Sequence, residues 1–113
     1  SAPQTYVASD GRTIKGNSID IVARTKALGV MHKAYAVTGG ICTATAALIT
    51  GTVANEVVSE RAKETNQVTL AHPSGKFDFE ICLTHDKGWH VEKAGVARTA
   101  RPIMKGIAYV KGE

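Results

Sequence analysis

The 113-residue chain has only two cysteines, three prolines and one tryptophan, and aromatic residues make up 5% of it. Each scarcity removes a class of protein. Two cysteines cannot build a disulfide scaffold. Cys42 falls in a predicted buried helix and Cys82 in a predicted strand, and with no secretion signal this argues against a structural disulfide. Uninterrupted apolar sequence never approaches the ~20 residues that a membrane helix requires. No stretch has the charged, apolar and small-residue order of a signal peptide, and the start at Ser1-Ala2 reads as a processed or engineered end. The expected location is therefore cytoplasmic, with no membrane partner.

Metal-ligand spacing is also missing. His32, His72, His85 and His90 form no ligand motif, and neither a companion cysteine pair nor an H-E-x-x-H run accompanies them. A Ser-His-Asp arrangement, a P-loop and a dinucleotide fingerprint are absent as well. The net charge of +4 favours anionic partners, yet the basic residues are scattered singly, with no cluster longer than His32-Lys33. Nucleic acid is thus a weak reading. A small polycarboxylate needs only one or two cations and a helix N-terminus.

What is present fits one globular α+β domain over residues 1–113, with 43% hydrophobic and 21% charged residues. The run from Met31 to Gly51 carries the most information. Thr38-Gly39-Gly40 precedes Ile41, Ala44, Ala46, Ala47, Leu48 and Ile49, which leave no polar face. The pattern predicts a buried helix sheathed by sheet and stopped at Thr50-Gly51. Thr38 is placed to cap it, with Gly39 and Gly40 leaving the remaining first-turn N–H groups uncovered. The helix dipole adds roughly half a positive charge there, so backbone alone could hold a carboxylate.

Elsewhere, Gln4 to Lys15 predicts a hairpin around Asp10-Gly11. A helix is predicted from Asn17 or Ser18, with Asp20 in its first turn and Ile19, Val22, Ala23 and Ala27 on one face, ending at Gly29. Residues 52–60 continue apolar and β-branched, and Arg61 to Asn66 reads as an exposed loop or short helical turn. Strands are expected at QVTLA and KFDFEICLT around His72-Pro73-Ser74-Gly75. Another follows Asp86-Lys87-Gly88, with a bulge at Gly95, and a last strand, GIAYV, closes the sheet.

The candidate site residues follow from this layout. Cys42, within a turn of the helix start, could be a thiolate that shuttles a proton, or a small core residue. His32 and Lys33 could add charge to the anion site, or belong to a solvated loop. Ser74 and Gly75 could offer a hydroxyl and an N–H, or form a plain turn. Arg98 and Arg101 could reach a carboxylate or sit on a wet strand face.

The run IDIVARTKALGVMHKAYAVTGGICTATAALITGTVANEV, followed by VTLAHPSGKFDFE and VARTARPIMKGIAYV, resembles the C-terminal half of the 2-methylaconitate cis-trans isomerase (PrpF-like) family. That family includes methylitaconate isomerase and oxalomesaconate tautomerase relatives. The resemblance implies one half of a diaminopimelate-epimerase-like fold, a sheet curled around a central helix, with the active site in the cleft between two related halves. It also implies an isomerase without cofactor or metal, which moves a proton at a carbon acidified by carboxylates. In this chain the carboxylate-binding role falls on Thr38, Gly39, Gly40 and Ile41. The related epimerases have a catalytic cysteine just before the Thr-Gly turn, where this chain has Ala36 and Val37. The main acid/base groups are expected in the first half, which this chain lacks, so its partner is that half or a second copy. The alternative is a non-catalytic carboxylate-binding or assembly module.

Overall fold

The computed structural model describes residues 1–112. β1 (Tyr6–Val7) and β2 (Thr13–Ile14) form the predicted antiparallel hairpin, with Tyr6 opposite Ile14. Gly11 turns it at φ +85°, and the Asp10 carboxylate accepts from the Arg12 N–H at 3.1 Å.

The helix predicted up to Gly29 does not form. A single 3-10 turn at Gly16–Ser18 leads instead into β3 (Ile21–Val22), followed by a small hairpin of β4 (Lys26–Ala27) and β5 (Val30–Met31). Extended backbone wins because Ile19-Asp20-Ile21-Val22 is buried on both sides, which β-branched residues in a strand accommodate and an amphipathic helix does not. Ile21 enters the main core, while Ile19 and Val22 pack with Ala71, Tyr6 and Ile14 in a second cluster. Asp20, expected in a helical first turn, is fully buried. Leu28 and Gly29 both have positive φ, 50° and 81°, as a two-residue mirror-image turn requires.

α1 (Val37–Leu48) forms where expected, with two corrections. Its N-cap is Ala36, without a side-chain cap, and not Thr38. It is also not sheathed all round among the described residues, because Gly40, Ala44 and Ala47 are buried while Thr38 and Cys42 are exposed. The helix ends at Leu48, before Thr50-Gly51. The Thr52 hydroxyl donates to the carbonyls of Ala46 (2.5 Å) and Ile49 (3.1 Å), and the Asn55 side chain donates to Ala47 at 2.8 Å, which satisfies these three carbonyls at the helix end. The apolar segment after it makes α2 (Val53–Val57), and the polar one makes α3 (Glu60–Thr65). Thr52 and Ser59 cap them by accepting from Asn55 and Ala62.

The remaining strands, β6 (Gln67–His72), β7 (Gly75–Asp86) and β8 (Gly88–Val96), form where expected, and inward and outward residues alternate along the first half of β7, while β6 is buried on both faces and β8 is largely exposed. The main sheet runs β3-β6-β7-β8, parallel at β3/β6 and antiparallel elsewhere. α1 lies on one face of it, over a core of Ala44, Ala47, Val68, Leu70, Phe79 and Ile81. Gly40 permits this close approach, since a Cβ there would sit 2.4 Å from the Phe79 ring. The β7/β8 irregularity is at Glu92, not Gly95. Cys82 faces Lys93 and Leu83 faces Val91, leaving Glu92 unmatched, while Gly95 pairs regularly with Glu80.

The expected final strand GIAYV does not form, because no strand of the described chain lies beside it. Residues 97–112 have no regular structure and are exposed apart from the Asp78 carbonyl's bond to the Ala97 N–H. Among the described residues no helix is long and apolar enough to cross a membrane.

Candidate functional site

The N-terminus of α1 differs from those of its neighbours. α2 and α3 begin with hydroxyl caps, whereas Ala36 offers α1 no acceptor. The first-turn N–H groups of Val37, Thr38 and Gly39 therefore have no intrahelical acceptor, and Ala36 supplies no side-chain one. Gly40 does not share this property, since its N–H donates to the Ala36 carbonyl at 2.8 Å. Ile41, one residue further, lies inside the helical ladder. Of the residues expected to offer donors, Thr38 and Gly39, with Val37 before them, have first-turn N–H groups free of the helical ladder, whereas Gly40 is bonded within it and packs against Phe79. The approach to the helix is fixed by Tyr35, whose hydroxyl hydrogen-bonds Thr43 Oγ1 at 2.9 Å.

Two of the other candidates meet. The Ser74 hydroxyl donates to the Lys33 carbonyl across 41 residues of sequence. This places the Pro73-Ser74 turn beside the segment that enters α1. The same turn is held by Ser9, whose N–H donates to the Pro73 carbonyl at 2.7 Å. Gly75 contributes its carbonyl, which accepts from the Tyr6 hydroxyl at 2.8 Å. His32 is tied through its backbone N–H to the Thr25 carbonyl, with its side chain exposed. Cys42 lies one turn beyond Thr38 on the same exposed side of α1, and neither it nor Cys82 is in a disulfide. Arg98 and Arg101 belong to the exposed segment beyond β8.

Three residues around the turn escaped sequence reasoning. Tyr6 donates to the carbonyls of both His72 (2.7 Å) and Gly75. Arg24 places its guanidinium 5.6 Å from the Tyr6 ring centroid and has no carboxylate partner among the described residues. His72 is buried, its ring 4.9 Å from that of Phe77, and its Nδ1 accepts from the Ser74 N–H at 3.3 Å. That bond places the ring proton of neutral His72 on Nε2. No sequence signal marks this group: Tyr6 stands on an expected strand, His72 opens an expected turn, and Arg24 follows an apolar run.

Burial, with the Arg24 charge adding to it, holds His72 below the ordinary histidine range. Burial raises the Tyr6 phenol, and Arg24 partly opposes it. The histidine has a thermodynamic consequence. Below an unfolded value of about 6.5, the unfolded chain takes up a proton that folded His72 refuses, so stability present above pH 6.5 is lost as pH falls toward the depressed folded value. Urea midpoints at pH 7.5 and 5.5 are expected to differ less in His72→Gln than in the parent chain. An unchanged difference would assign the acid sensitivity to other groups.

Among the described residues no group of three or more His, Cys, Asp or Glu side chains could hold a metal ion. Residues 1–111 match the family model described as PrpF protein. The chain belongs to the PrpF family. It is 41% identical over 110 residues to the 3-methylitaconate isomerase of Eubacterium barkeri, covering 96% of this chain and 28% of that protein. It is 33% identical over 109 residues to the 2-methyl-aconitate isomerase of Shewanella oneidensis, covering 96% of this chain and 27% of the relative. The crystal structure of methylitaconate-delta-isomerase superposes with a TM-score of 0.70 and 29% identity, over 86% of this chain and 27% of that one. This member of the PrpF family therefore spans little more than a quarter of the length of these relatives, and those relatives are isomerases.

Proposed function

We propose that this chain is part of a cofactor-independent isomerase of small unsaturated di- and tricarboxylates, of the 2-methylaconitate kind, and that it forms the wall that binds one substrate carboxylate. The carrying observation is the uncapped α1 N-terminus beside the Lys33–Ser74 junction, in a chain of the PrpF family. The N–H groups of Val37, Thr38 and Gly39 receive the carboxylate. Lys33 and Arg24, on either side of the β4–β5 hairpin, supply positive charge for a second one. Donors aimed at a carboxylate stabilise the negative charge that spreads onto it as a proton leaves the adjacent carbon, and rotation within that dienolate exchanges cis and trans.

Proton removal and return require groups on two sides of the substrate. Cys42 is this chain's candidate for one of them. The opposing wall comes from the remainder of a family-length protein or from a second copy. There the sheet curls further around α1, giving the diaminopimelate-epimerase-like half and covering the helix face that is open here.

Ala36→Asp tests the carboxylate site with two opposed readouts. A side-chain carboxylate at the N-cap accepts from the first-turn N–H groups, so stability is expected to rise by about 0.5–2 kcal/mol. The same carboxylate occupies the site, so aconitate should no longer shift the Thr38 and Gly39 amide resonances as it does in the parent chain. Shifts confined to other residues in the parent, or undiminished binding by Ala36→Asp, would refute the assignment. The purified chain alone is expected not to isomerise methylaconitate at a rate near that of a full-length relative. Robust turnover abolished by Cys42→Ala would show that it needs no second wall.

A further inference from the structure

Ser74 makes two bonds that join distant parts of the chain. Its N–H donates to His72 Nδ1 at 3.3 Å, and its hydroxyl donates to the Lys33 carbonyl, 41 residues away in sequence. The first bond exists only while His72 is neutral, because a protonated imidazole carries a hydrogen on both nitrogens and has no acceptor left. A proton on Nδ1 sets two donors face to face around a residue that is 5% exposed. The charges nearby do not offset this. From the segment after β3, the Arg24 guanidinium acts on the ring and opposes a second positive charge. From the first hairpin, Arg12 comes within 3.8 Å of the space a Gly75 Cβ would fill and is paired with Asp10, while Tyr6 meets the turn as a hydroxyl on the carbonyls of His72 and Gly75. In β7, Lys76 follows the turn and is exposed, and Lys33 reaches the turn through its backbone carbonyl.

We propose that the Pro73-Ser74 turn is a proton-operated latch: neutral His72 holds Ser74 on the Lys33 carbonyl at the entrance to α1, and a proton on Nδ1 releases it. Release is a local event. The Tyr6 hydroxyl holds the carbonyls of His72 and Gly75, so the ends of the turn stay fixed while Pro73 and Ser74, both half-buried, move between them. The packing of α1 on Val68, Leu70 and Phe79 does not pass through the turn, so the latch opens at less cost than global unfolding. On the far side, Tyr35 stays bonded to Thr43, which confines the freed residues to the stretch around Lys33. The direction follows from the imidazole. Burial and Arg24 hold the closed-state value below the ordinary histidine range, whereas an outward ring titrates near about 6.5. The latch is therefore closed above pH 6.5. Between about 6.5 and the depressed closed-state value, each unit fall in pH multiplies the open-to-closed ratio by up to about ten. Through Lys33 the opening lowers the affinity for a carboxylate in acid, a consequence that rests on the function proposed above; the latch itself does not.

Imidazole and amide nitrogen resonances of the full chain, followed from neutral pH into acid, test the latch. At neutral pH the His72 ring should be neutral with its proton on Nε2. As pH falls, the protection factor of the Ser74 amide should drop by up to about tenfold per unit, and the Lys33 and Ala34 resonances should move with the midpoint of His72. Ser74→Ala lacks the hydroxyl and should show the acid positions of Lys33 and Ala34 already at neutral pH. His72→Asn keeps an acceptor near the place of Nδ1 and takes up no proton, so the titration of Lys33 and Ala34 should disappear. The latch is overturned if Lys33 and Ala34 hold still while His72 titrates, if they titrate equally in His72→Asn, if Ser74→Ala leaves them unmoved, or if His72 stays neutral until the chain unfolds. Aconitate separates this result from the proposed function. No shift of any resonance by aconitate at neutral pH refutes the carboxylate site and leaves the latch to the Lys33 and Ala34 result. If aconitate binds, its loss of affinity on acidification should be at least about threefold larger in the parent than in His72→Asn, a ratio in which aconitate's own protonation cancels. An equal loss in both overturns the coupling of latch to site.

Discussion

Arg61→Ala is expected to destabilise the chain by about 3–5 kcal/mol, because it strands a buried carboxylate. Asp20 is 0% exposed, and it accepts from Arg61 Nη2 at 2.7 Å and Nε at 3.1 Å, from the Ser59 hydroxyl, and from the Thr69 N–H at 2.7 Å. Without the guanidinium, the remaining two donors must hold a full negative charge out of water. The Arg61 side chain is itself about half exposed, so it loses little hydration in the folded state, and the favourable balance of the pair comes from that asymmetry. Asp20→Ala should also be costly, though less so. It frees Arg61 to solvent but leaves the buried Thr69 N–H without an acceptor, at about 1–3 kcal/mol. Asp20→Ala combined with Arg61→Ala is expected to be milder than the sum of the single changes, since no buried charge remains. Urea unfolding of the four proteins checks the order. A loss below about 1 kcal/mol for Arg61→Ala would mean that water reaches Asp20 and that the carboxylate never depended on its partner.

That network also marks the limit of what sequence could reveal. Asp20 was legible only as an acid near an expected helix start, because its local surroundings fit a first turn and its partner lies 41 residues away. The hairpins at Asp10-Gly11, at Pro73-Ser74 and at Lys87 were legible because turn chemistry and two-residue alternation act over a few residues. α1 was legible for the same reason. The choice between helix and strand over Ile19–Ala23 was decided by burial on both faces, and that is a property of β6 and the first hairpin, not of the segment. GIAYV is the converse case, a strand by composition with no neighbour among the described residues.

The site divides along the same line. Lys33 and Ser74 stood out as residue types next to turns, and the fold brings them together. Arg24, Tyr6 and His72 were invisible because their roles arise from contacts between the first hairpin, the segment after β3 and the end of β6. The thiol of Cys42 illustrates a third situation. Its distance from the helix start was readable, yet its exposure depends on how much sheet covers α1. Sheet cover comes from long-range packing, which no local pattern around Cys42 encodes.

Gly40 separates packing from binding most sharply, and Gly40→Val is expected to cost more than about 3 kcal/mol. A Cβ at this position meets three Phe79 ring atoms at 2.4, 3.1 and 3.2 Å, so the ring or the helix must move. Phe79 is itself buried in the same cluster as Leu70, Ile81 and Ala44, so moving its ring disturbs their packing. Alanine alone should cost about 1–3 kcal/mol from overpacking, offset by up to about 1 kcal/mol of better helix propensity. Valine adds two methyl groups to the same clash and a β-branch to the helix, so it should exceed that range. Phe79→Leu shortens the group being struck. In the Gly40→Ala background it is expected to recover part of the loss, with a favourable coupling of about 0.5–3 kcal/mol that denaturant unfolding of the double-mutant cycle would measure. Because the Gly40 N–H is already used by Ala36, Gly40→Ala should bind aconitate as the parent does, once corrected for the fraction folded. A variant that folds as well as the parent but no longer binds would reverse the assignment and return Gly40 to the carboxylate site.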